Sequence, residues 1–502
     1  MEQTFAAIDL GSNAIKLKVV QTVGQSFMTL EDLSVPILVG EEVYLSGMIS
    51  LGTVNEIVET LKYFRQVLSE YDVKTFEIIA TSALREASNT KNVVELIHMK
   101  TGLTVEVAED TIEKFLTYKS IRDQMDNYRE IRSGSLLVEV NSGSCDISIY
   151  AQNKLIKNEE IKLGIKALKY TLMDLEKRTV LYPNVLKELI ETRTSHIWPS
   201  ITSRKLKHLV AIGGDAKLIR EVLFNNDVVI PMKDFKAMCV RSLDCDYEVR
   251  ALIEASGANW YEYLATIIVY DVFSDLVDTE FIWIPEISLR DGMIAELVEK
   301  NRNLMRYRSF NNDVYTLTKE ICKRYRSSES HVKQVEKMAL AFYSALKKDY
   351  EFDPRDYLLL RLAANLHEIG KYTRMKDYLV TTYDKISNLN ILGVTHNEIM
   401  MIAHTSRLIT SSEYKTYGSE LDGIRDEDQI RVYKLASILS MADALDKGKK
   451  QRIHVVKAYV DDGEFIIEIT KDEQCILEEW SFEFTITNFE NTFGVRPELR
   501  EI

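Results

Sequence analysis

A chain of 502 residues, 46% hydrophobic and 28% charged, is too long for one core and has the balance of a water-soluble globular protein of about two to four domains. Its 77 acidic residues outweigh 63 basic ones, and the net charge of −14 argues against broad or sequence-specific nucleic-acid binding, while a local basic pocket for a polyanion stays open. No apolar run approaches the ~20 residues of a membrane helix, no basic-then-apolar leader opens the chain, and the five cysteines contain no C-x-x-C pair, so a cytoplasmic protein with reduced thiols is expected.

The first twenty residues read as a hairpin. An apolar run reaches Asp9, Gly11, Ser12 and Asn13 form a small polar turn, and an alternating apolar run leaves it. Such a turn gathers backbone N–H groups, a hydroxyl and an amide suited to a phosphate, with Asp9 placed to hold a cation. A strand-rich stretch to about residue 45 follows, and Thr53-Val-Asn-Glu56 has the form of a capping box. Val54, Ile57, Val58, Leu61, Phe64, Val67 and Leu68 then keep helical spacing. Phe76 to Thr81 reads as a buried strand, residues 91–100 as a helix closed by Gly102, Val105 to Val107 as a strand and 110–124 as a helix. Alternating strands and helices predict an α/β lobe with a partly parallel sheet.

The pattern restarts at Ser135. Glu139 ends an apolar strand, Asn141, Ser142, Gly143 and Ser144 make a second small-residue turn, and Cys145 and Asp146 open the next strand. This predicts a second lobe on the plan of the first, with helices near 164–177 and 183–193. A strand from Lys207 to Ile212 runs into Gly213, Gly214 and a helix, a geometry suited to phosphate. Beyond residue 302 the pattern becomes amphipathic helices at 312–324, 329–348, 355–369 and 427–446. The chain closes on predicted strands at Ile453 to Val460, Glu464 to Ile469 and Ser481 to Ile486. The expected division is lobe I at 1–125, lobe II at 126–300, a helical domain at 301–449 and a small α+β cap at 450–502.

Paired turns opening paired α/β lobes, with a Gly-Gly turn late in the second, resemble the ribonuclease-H-like architecture of actin/Hsp70-type ATPases. Ile78-Ile-Ala-Thr81-Ser-Ala-Leu-Arg85-Glu86-Ala-Ser-Asn89, taken with Ile8-Asp9-Leu-Gly11-Ser12-Asn13, is similar to the exopolyphosphatase/guanosine pentaphosphate phosphatase (Ppx/GppA) family. Ala211-Ile-Gly213-Gly214-Asp215-Ala216 and Ser288-Leu-Arg290-Asp-Gly292-Met extend the similarity along the chain. The resemblance implies removal of a terminal phosphate from polyphosphate or a guanosine penta- or tetraphosphate, between the lobes, with Mg²⁺. It implies that Gly11, Ser12, Asn13, Ser142, Gly143, Ser144, Gly213 and Gly214 surround phosphates and that Arg85 clamps one with its guanidinium fork. Metal contacts fall to Asp9, Glu139 and Asp146, and a homodimer is expected by the same analogy.

The chain also departs from that family. Its second turn, Glu139-Val-Asn-Ser-Gly-Ser-Cys-Asp146, keeps an acid at each end and loses two of three glycines. Where the family carries its catalytic glutamate, an ungapped placement puts Ile112, so Glu109, Asp110 and Glu113, with Glu139 and Asp146, are the candidate catalytic acids. In the helical domain His331, His367, Glu368, His404 and Asp443 follow the order of metal-dependent HD phosphohydrolases, with Glu368 where an aspartate is usual, which implies an HD-like domain and a second divalent metal. Two alternatives follow: a binding or regulatory protein for polyphosphate or guanine nucleotides without turnover, or hydrolysis by the helical domain.

Overall fold

The computed structural model describes residues 3–23, 26–124, 128–213, 215–302, 306–410, 421 and 423–502. They divide into two units, Met1–Phe310 and Asn311–Ile502.

In the first unit, β1 (Thr4–Leu10), β2 (Ala14–Val23) and β3 (Ser26–Pro36) form an antiparallel meander, and β4 (Thr75–Ala80) and β5 (Glu106–Val107) extend it in parallel, in the order β3-β2-β1-β4-β5. The helix Leu51–Glu70 buries the seven apolar residues named from spacing. Its cap is Ser50, whose hydroxyl accepts from the Thr53 N–H; the expected cap at Thr53 lies inside the helix. The plan then repeats. β6 (Gly134–Val140), β7 (Cys145–Ala151) and β8 (Lys154–Ile161) form the second meander, β9 (His208–Ile212) runs parallel to β6, and β10 (Val229–Pro231) and β11 (Phe281–Trp283) complete the sheet. Behind it the helix Trp260–Ser274 is buried almost all round.

The expected lobe boundary near residue 300 needs correction. The helix Leu289–Arg302 returns to the first sheet, where Met293, Ile294, Leu297 and Val298 pack on Phe5, Ala7, Val20, Ile79 and Leu116. Lys18 bonds Asp291 at 2.6 Å and Arg290 donates to the Leu17 carbonyl at 2.9 Å. Gly292 permits this approach, since a Cβ there would overlap the carbonyl oxygen of Leu116. Residues 289–302 therefore complete the first lobe's core, although they follow the second in the chain.

The second unit contains the helices Glu329–Leu346, Asp356–Leu366, Tyr378–Ser387, His396–Arg407 and Asp426–Ala444. β12 (Ile453–Asp461), β13 (Glu464–Lys471) and β14 (Arg496–Glu501) make a small sheet, with β14 parallel to β13. The strand expected at 481–486 is instead part of the helix Ile476–Phe493. Its local alternation is outweighed by a longer stripe, Glu478, Phe482, Thr485, Phe489 and Phe493, that is buried at helical spacing. This helix packs on Asp426–Ala444, so the expected cap shares a unit with the helices before it.

Candidate active site

Both hairpin turns are closed the same way. The Gly11 N–H donates to the Ala14 carbonyl at 3.1 Å, and the Asn141 N–H donates to the Ser144 carbonyl at 2.8 Å. Each turn is also gripped from the side. The Ser12 and Asn13 carbonyls accept from the N–H groups of Gly40 and Ile37, and the Ser142 and Asn141 carbonyls accept from those of Lys166 and Ile165. Gly164 is required at the second grip, because a Cβ there would overlap the Ser142 and Gly143 backbone. Backbone hydrogen bonds on two sides define the shape of each turn, which is what preorganised phosphate donors need.

β4 runs parallel to β1, with Ala80 beside Leu10, so the chain leaving it enters the same space. The Thr81 N–H donates to the Leu10 carbonyl at 3.2 Å, and the short helix Ser82–Glu86 carries Arg85 inward. The result is a cavity of about 550 Å³. On its wall are Asp9, Gly11, Ser12, Asn13, Arg85, Asp110, Glu113, Ser142, Gly143 and Ser144 from the expected set. The Ser82 hydroxyl links the lobes, 3.0 Å from the Ser12 hydroxyl and 3.2 Å from that of Ser142.

Four expected residues that the structure describes are not on that wall. Glu109 precedes the helix Asp110–Gln124, where its carbonyl accepts from the Ile112 and Glu113 N–H groups. Gly213 has a φ of +80° and sits against the Val140 carbonyl, bracing the second turn from outside the cavity. Glu139 and Asp146 are buried behind the wall. Gly214 lies outside the described residues. Ile112 packs with the apolar cluster of the first lobe, and Glu113, one residue on, lines the cavity. Sequence reasoning missed Lys16, Glu160 and Lys162 on the wall. Lys16 had one signal, since hairpin register sets it opposite Asp9.

Charge divides the site in two. On one side Arg85 donates to the Ala108 carbonyl at 2.8 Å, to Glu113 at 3.0 Å and to Asp110 at 3.3 Å. Burial raises the pKa of Glu113, and Arg85 opposes the rise. Burial also pushes Asp9 up to about 6, with Lys16 and Arg290 pulling down and Glu113 pushing up. Glu139 is raised too, by burial and then by the charges of Asp146 and Glu113. Asp9 Oδ1 and Glu139 Oε2 are buried oxygens without a hydrogen-bond partner among the described residues. Orphaned carboxylate oxygens fit a hard divalent cation.

On the other side Lys114, 3% exposed, lies among Asp110, Asp146 and Glu160, 2.6 Å from Asp146 and 3.1 Å from Glu160. These three carboxylates approach closely enough to hold an ion. The lysine ammonium already bridges them, which changes the expectation for Asp146: its charge is matched by Lys114, one helical turn beyond Asp110. Beside the main cavity lies a second of about 320 Å³, which shares Asn13 and Ser142 with it and carries Lys166, Lys169 and Asp215. Tyr44 and Tyr170 stack at its edge, ring centres 5.0 Å apart.

In the second unit His331, His367, Glu368 and Asp443 come together, all buried. His404 is not part of that group and stands edge-on to Tyr383.

Comparison with known proteins places these features. Residues 18–301 match the model of the Ppx/GppA phosphatase family, and residues 315–484 match that of Ppx/GppA phosphatase, domain III. The chain is 22% identical over 426 residues to a guanosine-5'-triphosphate,3'-diphosphate pyrophosphatase of Photobacterium profundum, covering 80% of each. A protein of the same name from Aliivibrio fischeri is 20% identical over 467 residues, covering 88% of this chain and 87% of its own. Among solved structures, an Aquifex aeolicus member of the Ppx/GppA family superposes with a TM-score of 0.51 at 18% identity, over 60% of this chain and 99% of that one. That likeness speaks for the fold alone.

Proposed function

The chain belongs to the Ppx/GppA phosphatase family, and on that footing we propose that it hydrolyses the terminal phosphoanhydride bond of inorganic polyphosphate, of pppGpp or of both in the cavity between its lobes. One observation carries the reading: both hairpin turns and Arg85 open onto a single cavity whose wall mixes amide, hydroxyl and cationic donors. The curated relatives are named for pyrophosphatase activity on a guanosine polyphosphate, which favours turnover.

In this reading the turns Gly11–Asn13 and Ser142–Ser144, with the Ser82 hydroxyl, Lys16 and Lys162, hold the phosphate chain. Arg85 neutralises charge on the terminal phosphoryl group. Asp9 and Glu139 are the residues that fit Mg²⁺, which when bound supplies charge neutralisation at the phosphate oxygens. Glu113 accepts a proton from the attacking water. The water oxygen bonds to phosphorus, the bridging P–O bond breaks, and the shortened chain leaves. Ile112 suggests a binding protein without turnover; Glu113 on the cavity wall provides the acid that Ile112 lacks. The reading extends to a cytoplasmic homodimer, for which light scattering tests the mass; no helix among the described residues is long and apolar enough to cross a membrane.

Phosphate release from polyphosphate and from pppGpp with Mg²⁺ tests the proposal on wild type, Arg85→Ala and His367→Ala. Loss in Arg85→Ala alone supports it. Loss in His367→Ala alone moves the chemistry to the second unit, and tight binding without release leaves a binding protein.

A further inference from the structure

We propose that Lys166 is a modification site, acylated by small acyl phosphates whose phosphoryl end is seated on the two hairpin turns. The inference shares one premise with the proposed function, that these turns hold a phosphoryl group, and it needs no turnover. Lys166 stands in the first turn of the helix Ile165–Glu176. Its N–H donates to the Ser142 carbonyl at 3.3 Å, at the second hairpin turn. Its Nζ reaches the first hairpin turn. A Cβ on Gly40 would overlap both that nitrogen and Ser12 Cβ, and the Gly40 N–H donates to the Ser12 carbonyl at 2.7 Å. Glycine at position 40 leaves the space in which the amino group lies. One side chain therefore reaches from the second lobe to the first, with a phosphate turn at each end.

Several cations around the turns are already held. Arg85 is fixed by Ala108, Glu113 and Asp110, Lys114 by three carboxylates, and Lys169 by Glu262 at 2.7 Å. Lys166 Nζ makes no hydrogen bond or ion pair among the described residues. Burial lowers its pKa, and the charges of Glu262, Glu86 and Glu41, none of them bonded to it, oppose the shift. A desolvated lysine that no carboxylate holds is more often the neutral amine, the form with a nucleophilic lone pair. Lys166 also lines the neighbouring cavity of about 320 Å³, which has room for an acyl group and shares Asn13 and Ser142 with the main one.

An acyl phosphate meets these features with its two ends. Its phosphoryl oxygens take the amide and hydroxyl donors of the turns, and its carbonyl carbon is then held within reach of Nζ, so a chance encounter becomes a positioned one. The nitrogen lone pair bonds to the carbonyl carbon, the bond from that carbon to the phosphate oxygen breaks, and the nitrogen's proton passes to the departing phosphate. The products are an amide on Lys166 and hydrogen phosphate, with no oxidant or further reactant. The amide carries no charge, so acylation removes a cation that faces both turns. Affinity for a phosphate chain falls as a result, which makes the modification a brake on the same site.

The test labels the full chain with acetyl phosphate in the presence of a chelator, which keeps Mg²⁺-dependent turnover out of the readout, and maps acetyl-lysines over time by peptide mass spectrometry. Lys166 should gain its acetyl group at least about tenfold faster than ion-paired Lys169 and exposed Lys177. Tripolyphosphate should slow labelling at Lys166 by about tenfold and leave Lys177 unchanged. Acetic anhydride, which has no phosphoryl end, should erase most of the preference. Tripolyphosphate should bind about tenfold more weakly to the labelled chain and to Lys166→Gln in a calorimeter, and Lys166→Arg, which keeps the charge, should lose less. Labelling of Lys166 no faster than of Lys177, or labelling that tripolyphosphate does not slow although it binds, overturns this inference alone. An equal preference with acetic anhydride overturns the guidance by phosphate. A wild-type chain that does not bind tripolyphosphate overturns the shared premise, and the proposed function with it.

Discussion

Replacing Lys114 by methionine removes one cation from beneath three carboxylates. Methionine fills similar volume, so the packing loss is small and the effect is electrostatic. Asp110 and Glu160 are 29% and 28% exposed and recover hydration when the ammonium goes. Asp146 is 1% exposed and cannot. Leaving one buried charge unpaired costs about 3–5 kcal/mol, and relief at the two exposed partners puts this variant near the lower figure. The pH dependence has a definite sign. Asp146 is already raised by burial against the pull of Lys114, and losing the lysine raises it further in the folded state alone. A carboxyl raised on folding binds its proton more tightly when folded, and Asp146 already stands at about 7 with the lysine in place, so the variant's deficit is full only in alkaline solution, above its still higher folded value, and shrinks as pH falls through neutral. Urea unfolding of wild type and variant at two pH values measures both effects. Mg²⁺ should restore part of the loss, because Asp110, Asp146 and Glu160 lie close enough to hold an ion. A deficit under about 1 kcal/mol in alkaline solution, or one that grows in acid, would refute the view of Lys114 as a built-in counter-ion.

Glu113→Gln should lower the rate of phosphate release by about 10²–10⁴-fold with little change in KM, as steady-state kinetics would show. Because Asp9 titrates at about 6 and binds a cation only when ionised, the wild-type rate should fall below that pH, a limb that a pH–rate profile of Asp9→Asn should lack. Gly292→Ala should destabilise the first unit by roughly 1–3 kcal/mol, since its Cβ must displace the Leu116 carbonyl; a neutral melting curve would contradict the close helix contact. Tyr170→Ala should raise KM for pppGpp and spare short polyphosphate if the nucleoside seats in the pocket edged by Tyr44 and Tyr170. Equal effects on both substrates would place the nucleoside elsewhere.

The paired hairpins, the helix Leu51–Glu70 and the Arg85 segment were legible because each is written in local terms: a turn between apolar runs, a stripe at helical period, a motif of adjacent residues. The helix Trp260–Ser274 was not. It is apolar on every face, so no stripe announces it. The alternation of Ser481 to Ile486 misled for the opposite reason, since a window of six residues cannot weigh a stripe that runs to Phe493.

By itself the sequence determined the two lobes on one plan, the family resemblance and the chemical types gathered at the turns, because these depend on patterns within a few tens of residues. Tertiary structure alone decided that Glu113 and not Glu109 reaches the cavity, that Lys114 closes over Asp146, that residues 289–302 belong to the first lobe's core, and that His404 stands outside the cluster of His331, His367, Glu368 and Asp443. Each of those outcomes turns on a helix's rotation or on which distant segments meet. A rotation of about 100° per residue changes what a side chain faces without changing any local pattern that would record it.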